Sequence, residues 1–178
     1  MNLYLIRHTK VAVDSEVCYG QTDVDVAGSF QVEQKKVTGF IEGVYFDKVY
    51  SSPLKRCRIL AESVTSNTEI ILDKRLMELN FGDWEMQTWD EIYFSPQGKV
   101  WMDNYWKFPT QNGESYPEMV KRISLFYNEL DIATDTNVAI FTHAGVIRIF
   151  KSIIENRPIE ELFATFNPGY GTVLKFVV

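Results

Sequence analysis

Apolar positions along the chain fall into two patterns that alternate. Leu3-Tyr4-Leu5-Ile6 and Asn137-Val138-Ala139-Ile140-Phe141 are short and almost continuously apolar, which suits central parallel strands covered on both faces. Asp47-Lys48-Val49-Tyr50-Ser51, Glu69-Ile70-Ile71-Leu72 and the closing stretch from Thr172 to Val178 are further strand candidates. Between them the apolar residues recur at helical spacing. Ser29 to Gly43 carries Phe30, Val37, Phe40 and Ile41, with Gly43 as a C-cap. Ser52-Pro53 reads as an N-cap followed by proline at the first helical position, and the helix continues through Leu54, Ile59, Leu60 and Val64. Ser115-Tyr116-Pro117-Glu118 has capping-box spacing ahead of Met119, Ile123, Phe126, Tyr127 and Leu130. A last helix uses Val146, Ile147, Phe150 and Ile154 and stops before Pro158.

Strands alternating with helices predict an α/β domain with a mostly parallel central sheet. In such sheets ligands bind beyond the carboxyl ends of the strands. The chain holds only two histidines, and each follows an apolar strand run directly. Periodicity thus places His8 and His143 on one rim of the sheet.

Composition changes this picture little. At 178 residues, 46% hydrophobic and 24% charged, the chain has the size and make-up of one folded domain, and it is read as a single unit over residues 1–178. A net charge of −6 disfavours general nucleic-acid binding. No apolar run is long enough for a membrane span, and the N-terminus lacks the pattern of a secretory leader. Two cysteines make neither a disulfide framework nor, with so few histidines, a zinc site. These features together predict a cytoplasmic protein that needs no metal or other cofactor.

Four segments carry candidate chemistry. In Leu5-Ile6-Arg7-His8-Thr9 a cation and an imidazole follow a buried strand, and a buried arginine needs an anion or a carboxylate. A structural Arg–Asp pair beside a packed histidine explains this segment equally well. In Phe141-Thr142-His143-Ala144-Gly145, small residues let the backbone approach a ligand, and the next helix N-terminus favours an anion. A plain strand-to-helix turn is the alternative. In Ser51-Ser52-Pro53-Leu54-Lys55-Arg56-Cys57, Arg56 lies one turn into the predicted helix, where its planar fork suits phosphate oxygens. A solvated helix face would equally present Lys55, Arg56 and Arg58. Finally, Glu78 lies between apolar residues in Leu76-Met77-Glu78-Leu79, a setting that favours the neutral carboxyl of a general acid. Asp83 and Glu85 read as surface residues of a loop. Phosphomonoester hydrolysis uses the whole set: an imidazole to attack phosphorus, arginines and His143 to hold the phosphoryl oxygens, and Glu78 to protonate the leaving oxygen.

In order and approximate spacing, Arg7-His8-Thr9, Arg56 in Ser-Ser-Pro-Leu-Lys-Arg, Glu78 before Phe-Gly-Asp-Trp-Glu, and His143 in Thr-His-Ala-Gly resemble the histidine phosphatase superfamily of phosphoglycerate mutase-like fold. The resemblance spans nearly the full chain. It implies a three-layer α/β/α sandwich, His8 as the phosphorylated nucleophile, Arg7, Arg56 and His143 as the phosphate pocket, and Glu78 as proton donor. Two positions depart from the usual pattern: Thr9 replaces a glycine, and Met86 replaces the glycine that often follows Trp-Glu. Cys18-Tyr19-Gly20-Gln21-Thr22-Asp23-Val24 narrows the likeness to α-ribazole phosphatases and implies Gln21, otherwise a polar turn residue, as a substrate contact; the first and last motifs imply Thr9 and Ala144 in the same role. All four tryptophans fall in an aromatic-rich insertion at about residues 84–110, which in the family covers the site. A small-molecule phosphomonoester is therefore the expected partner. Other sugar phosphates, or a mutase reaction, use the same chemistry. The chain's end at its last apolar strand disfavours the mutase, and Glu78 disfavours an inactive phosphate-binding module.

Overall fold

All five strand candidates form strands and join one sheet. They are β1 (Asn2–Arg7), β2 (Lys48–Ser51), β3 (Ile70–Leu72), β4 (Asn137–Thr142) and β5 (Val173–Val177). The computed structural model describes residues 1–65, 68–130 and 136–178. The strand order is β3-β2-β4-β1-β5. All pairings are parallel except that of β1 with the edge strand β5.

The continuous apolar runs have a simple cause. Successive strand side chains point to opposite faces, and both faces are covered. Leu3, Leu5, Val138 and Ile140 pack under helices α5 (Tyr116–Asn128) and α6 (Ala144–Glu155), against Met119, Ile123 and Ile147. Tyr4, Ile6, Ala139 and Phe141 pack under α1 (Phe30–Ile41) and α2 (Lys55–Val64), against Val37, Cys57 and Leu60. The helices lie in two layers with the mixed, mostly parallel sheet between them.

The termini of the helices differ from the sequence-based expectation in informative ways. α1 ends at Ile41, and Gly43 follows in the left-handed conformation at φ +75°. Phe40 is 70% exposed, so its apolar character does not serve the core. The Ser115–Glu118 capping box forms as its spacing predicts. α2 does not start at Ser52-Pro53. Leu54 is its extended N-cap, and Lys55 its first residue. Ser52 instead prolongs the sheet edge, its N–H bonding the Phe141 carbonyl. This leaves the Ser52 hydroxyl 2.9 Å from His143 Nε2.

The aromatic-rich insertion folds into two short helices, α3 (Trp89–Phe94) and α4 (Pro96–Asn104). A capping box on Thr88 opens α3, and the Ser95 hydroxyl accepts from Gly98 N–H to open α4. A seventh helix, α7 (Ile159–Thr165), follows α6. Trp84 and Trp101 pack edge to face, with ring centroids 5.4 Å apart. The α3–α4 corner has no room for a side chain at Gly98, where an added Cβ would lie 1.8 Å from the Ile92 carbonyl oxygen. Gly98→Ala is expected to destabilise the protein by about 1–3 kcal/mol, read as a lower urea midpoint. An unchanged midpoint would show that the corner yields without cost.

Candidate active site

Parallel register brings the two histidines together. Arg7 of β1 pairs with Thr142 of β4, so the next residues, His8 and His143, leave adjacent strand ends side by side. Their ring centroids are 5.1 Å apart, and both residues are buried. His8 Nδ1 lies 2.7 Å from the Thr9 carbonyl oxygen. A carbonyl only accepts, so Nδ1 carries the proton and Nε2 keeps its lone pair. Burial, reinforced by the charge of Arg56 and by further neighbours, pushes the pKa of both imidazoles well below the ordinary value, so both are neutral at pH 7.

Two guanidiniums flank this pair. Arg7 donates to the Pro168 carbonyl at 2.6 Å, and its cation lies 4.1 Å from the centre of the Tyr170 ring. Arg56, fully buried on the first turn of α2, donates to the carbonyls of Gly20 at 2.6 Å and Thr22 at 2.9 Å. Among the described residues neither has a carboxylate partner, and the Nε of each is buried without an acceptor. The structural Arg–Asp pairing is therefore absent for Arg7, and the solvated-face reading fails for Arg56. Lys55 and Arg58, by contrast, face solvent and pair with Asp25 and Glu62.

Glu78 reaches the same site from the segment that follows β3. Its Oε1 accepts from Leu79 N–H and its Oε2 from Gly145 N–H, each at 3.1 Å. Gly145 sits in the first turn of α6, so Glu78 occupies the amide end of that helix. An added Cβ at Gly145 would lie 2.3 Å from Glu78 Oε1. The Glu78 carbonyl is held as well, by Gln21 Nε2 at 2.9 Å and Arg122 Nη2 at 3.0 Å.

Arg7, His8, Arg56, Glu78 and His143 all line one cavity of about 460 Å³, a size that suits a small organic ligand. The three implied substrate contacts do not line it. Thr9 contributes its carbonyl to His8, Gln21 turns to the Glu78 backbone, and Ala144 is covered at the start of α6. Glu85 is not the surface residue its loop suggests: its carboxylate accepts from the N–H groups of Gln21, Thr22 and Phe81, and so fixes the loop that offers Gly20 and Thr22 to Arg56. Asp83 stays at the surface, accepting from Asn112. The cavity also holds residues that sequence reasoning passed over. Tyr19 and Tyr170 bridge hydroxyl to hydroxyl at 3.0 Å, and Trp89, Tyr116, Arg148 and Phe163 build the far wall. Tyr170, Arg148 and Phe163 belong to no local motif, whereas Tyr19, Trp89 and Tyr116 lie in the Cys18–Val24 stretch, the aromatic insertion and the Ser115–Glu118 capping box, none of which names them as cavity residues.

The family model of the histidine phosphatase superfamily (branch 1) matches residues 3–176. The chain belongs to that superfamily. Phosphoserine phosphatase 1 of Hydrogenobacter thermophilus is 26% identical over 135 residues, which cover 73% of this chain and 64% of that protein. Among solved structures, the alpha-ribazole phosphatase of Shigella flexneri superimposes with a TM-score of 0.92 at 22% identity, covering 100% of this chain and 91% of that one. The phosphoserine phosphatase of Entamoeba histolytica, solved with 3-phosphoglyceric acid, gives 0.82 at 24% identity, with 99% and 90% covered. At these identities the solved structures establish a shared histidine phosphatase fold.

Neutral, buried histidines leave a mark on stability. Their folded pKa values lie below the unfolded value of about 6.5, so the unfolded chain binds more protons under that pH, and stability falls as pH drops through it. Between pH 7.5 and 5.5 the unfolding free energy is expected to decrease, its slope approaching about 1.4 kcal/mol per pH unit for each histidine. Urea unfolding across this window checks it, and His143→Gln should remove about one histidine's share of the slope. Constant stability in the wild-type protein would show that the imidazoles are not held neutral.

Proposed function

We propose that this histidine phosphatase hydrolyses phosphomonoesters through a phosphohistidine on His8 and requires no metal. One observation carries the reading: a neutral imidazole with an available Nε2 stands between two guanidiniums, Arg56 fully buried and Arg7 half-buried, that lack an acid partner among the described residues. Phosphoryl oxygens on Arg7 and Arg56 supply the missing anion, and His143, which lines the same cavity, completes the phosphate pocket. His8 Nε2 attacks phosphorus, the P–O ester bond breaks, and its electron pair leaves on the alkoxide, which takes a proton from Glu78. The resulting Glu78 carboxylate then removes a proton from water. That water attacks phosphorus, the P–N bond breaks, and His8 returns to its neutral form with release of inorganic phosphate.

The substrate we propose is α-ribazole 5′-phosphate or the corresponding cobalamin phosphate, a step of cobalamin nucleotide-loop assembly carried out in the cytoplasm. The cavity wall supports it: Phe81, Trp89, Trp101, Tyr116 and Phe163 offer rings on which a benzimidazole can stack. The relative named phosphoserine phosphatase 1 favours a second reading, a phosphatase for small phosphomonoesters such as phosphoserine.

Phosphate release from an alkyl phosphate is expected to persist in EDTA. His8→Ala should abolish both turnover and acid-labile phosphoenzyme. Glu78→Gln should lower kcat by about 10²-fold or more while phosphate affinity changes little; an unchanged kcat removes Glu78 from the donor role. Across a phosphomonoester panel, kcat/KM for α-ribazole 5′-phosphate should exceed that for simple sugar phosphates by about tenfold or more. Phosphoserine leading the panel would instead establish the second reading.

A further inference from the structure

A third guanidinium lines the cavity, and the phosphoryl chemistry does not use it. Arg148 projects from α6, donates to the Phe166 carbonyl at 2.8 Å and to Asn167 Oδ1 at 3.0 Å, and lies 4.8 Å from the centre of the Phe163 ring. These contacts fix the side chain, but they leave its charge without a carboxylate partner among the described residues. Burial makes that charge costly. Beside it stands Tyr116. Its ring is 4.9 Å from Phe163 and 4.8 Å from Trp106, centre to centre, and its hydroxyl has no hydrogen-bond partner among the described residues although the residue is half-buried. A rigid donor fork and a phenol thus share one aromatic wall of the cavity, separate from Arg7 and Arg56, which flank His8.

We infer that Arg148 and Tyr116 form a leaving-group subsite that takes a hydrogen-bond acceptor on the alcohol portion of the substrate, either a heteroaromatic ring nitrogen or a carboxylate. The inference rests on the phosphatase reading of the cavity, since it assigns the part of the ester that departs. Donors buried in such a wall penalise any ligand that leaves them unmatched, so they discriminate by what the leaving group carries.

Two matched pairs of substrates test the subsite and separate its possible ligands. The first pair is benzimidazole riboside 5′-phosphate and its indole counterpart, in which CH replaces the acceptor nitrogen. The second is phosphoserine and phosphoethanolamine, which lacks the carboxylate. The wild-type enzyme is expected to favour the acceptor-bearing member of one pair by about tenfold or more in kcat/KM. Arg148→Met should erase that preference while costing phenyl phosphate far less. Tyr116→Phe, which keeps the ring, should reduce the same preference severalfold. Equal treatment of both pairs by the wild type overturns the subsite. So does an Arg148→Met loss that is uniform across all substrates, phenyl phosphate included, since that marks a purely structural role through Phe166 and Asn167. Which pair shows the preference decides between the two substrate readings without bearing on the subsite itself.

Discussion

Burying a guanidinium without a counter-ion costs of the order of several kcal/mol. Arg56 is fully buried with only the Gly20 and Thr22 carbonyls as acceptors. Arg7 likewise has a carbonyl and an aromatic face in place of an acid. The surrounding structure offsets this cost and preserves it. Glu85 sits close enough to organise the loop that serves Arg56, yet its carboxylate is taken up by backbone amides. Glu78 is likewise engaged by the Leu79 and Gly145 amides. The acids near the cavity are thus spoken for, and the cations remain unneutralised. The same positive field helps to keep His8 and His143 uncharged, which a nitrogen nucleophile requires.

The fold delivers this arrangement through strand register. The ends of β2, β4 and β1 stand next to one another and supply Ser52, His143 and His8. Ser52 bonds His143, and the Thr9 carbonyl orients His8, so each imidazole is fixed by a group within one strand or one residue of it. These supports lie at the strand ends and their immediate continuation, and the loop before β5 adds the Tyr170 ring, 5.6 Å from that of His8. The loops contribute the walls, and there the aromatic insertion and the α6–β5 connection distinguish this cavity from a bare phosphate site.

What could be read in the sequence followed the local patterns. Leu3 to Ile6 and Asn137 to Phe141 announce doubly covered strands because side chains on both faces meet helices, and Ser115 to Glu118 announces its helix because a capping box is a short-range device. Ser52 misled because the same residue that caps helices elsewhere here continues a sheet and turns its hydroxyl to an imidazole. Gln21 and Thr9 belong to the expected motifs, but the Gln21 amide turns to the Glu78 backbone and Thr9 meets His8 through its backbone carbonyl, its hydroxyl buried without a partner. Arg148, Tyr116 and Tyr170 lie in ordinary helix and loop sequence, and only tertiary packing gathers them around the cavity. Short helices such as α3 and α4 also escaped notice, since six and nine residues hold too little periodicity to stand out.

The central claim is that one phosphoryl group is held by Arg7 and Arg56 while His8 Nε2 attacks it in line. A crystal structure with orthovanadate tests this most directly, because vanadate adopts the five-coordinate geometry of the transferring phosphoryl group. The account predicts vanadium bonded axially to His8 Nε2, with equatorial oxygens on Arg7 and Arg56 and the opposite axial oxygen toward Glu78. Vanadate bound elsewhere in the cavity, or coordinated with His8 out of line, would contradict it.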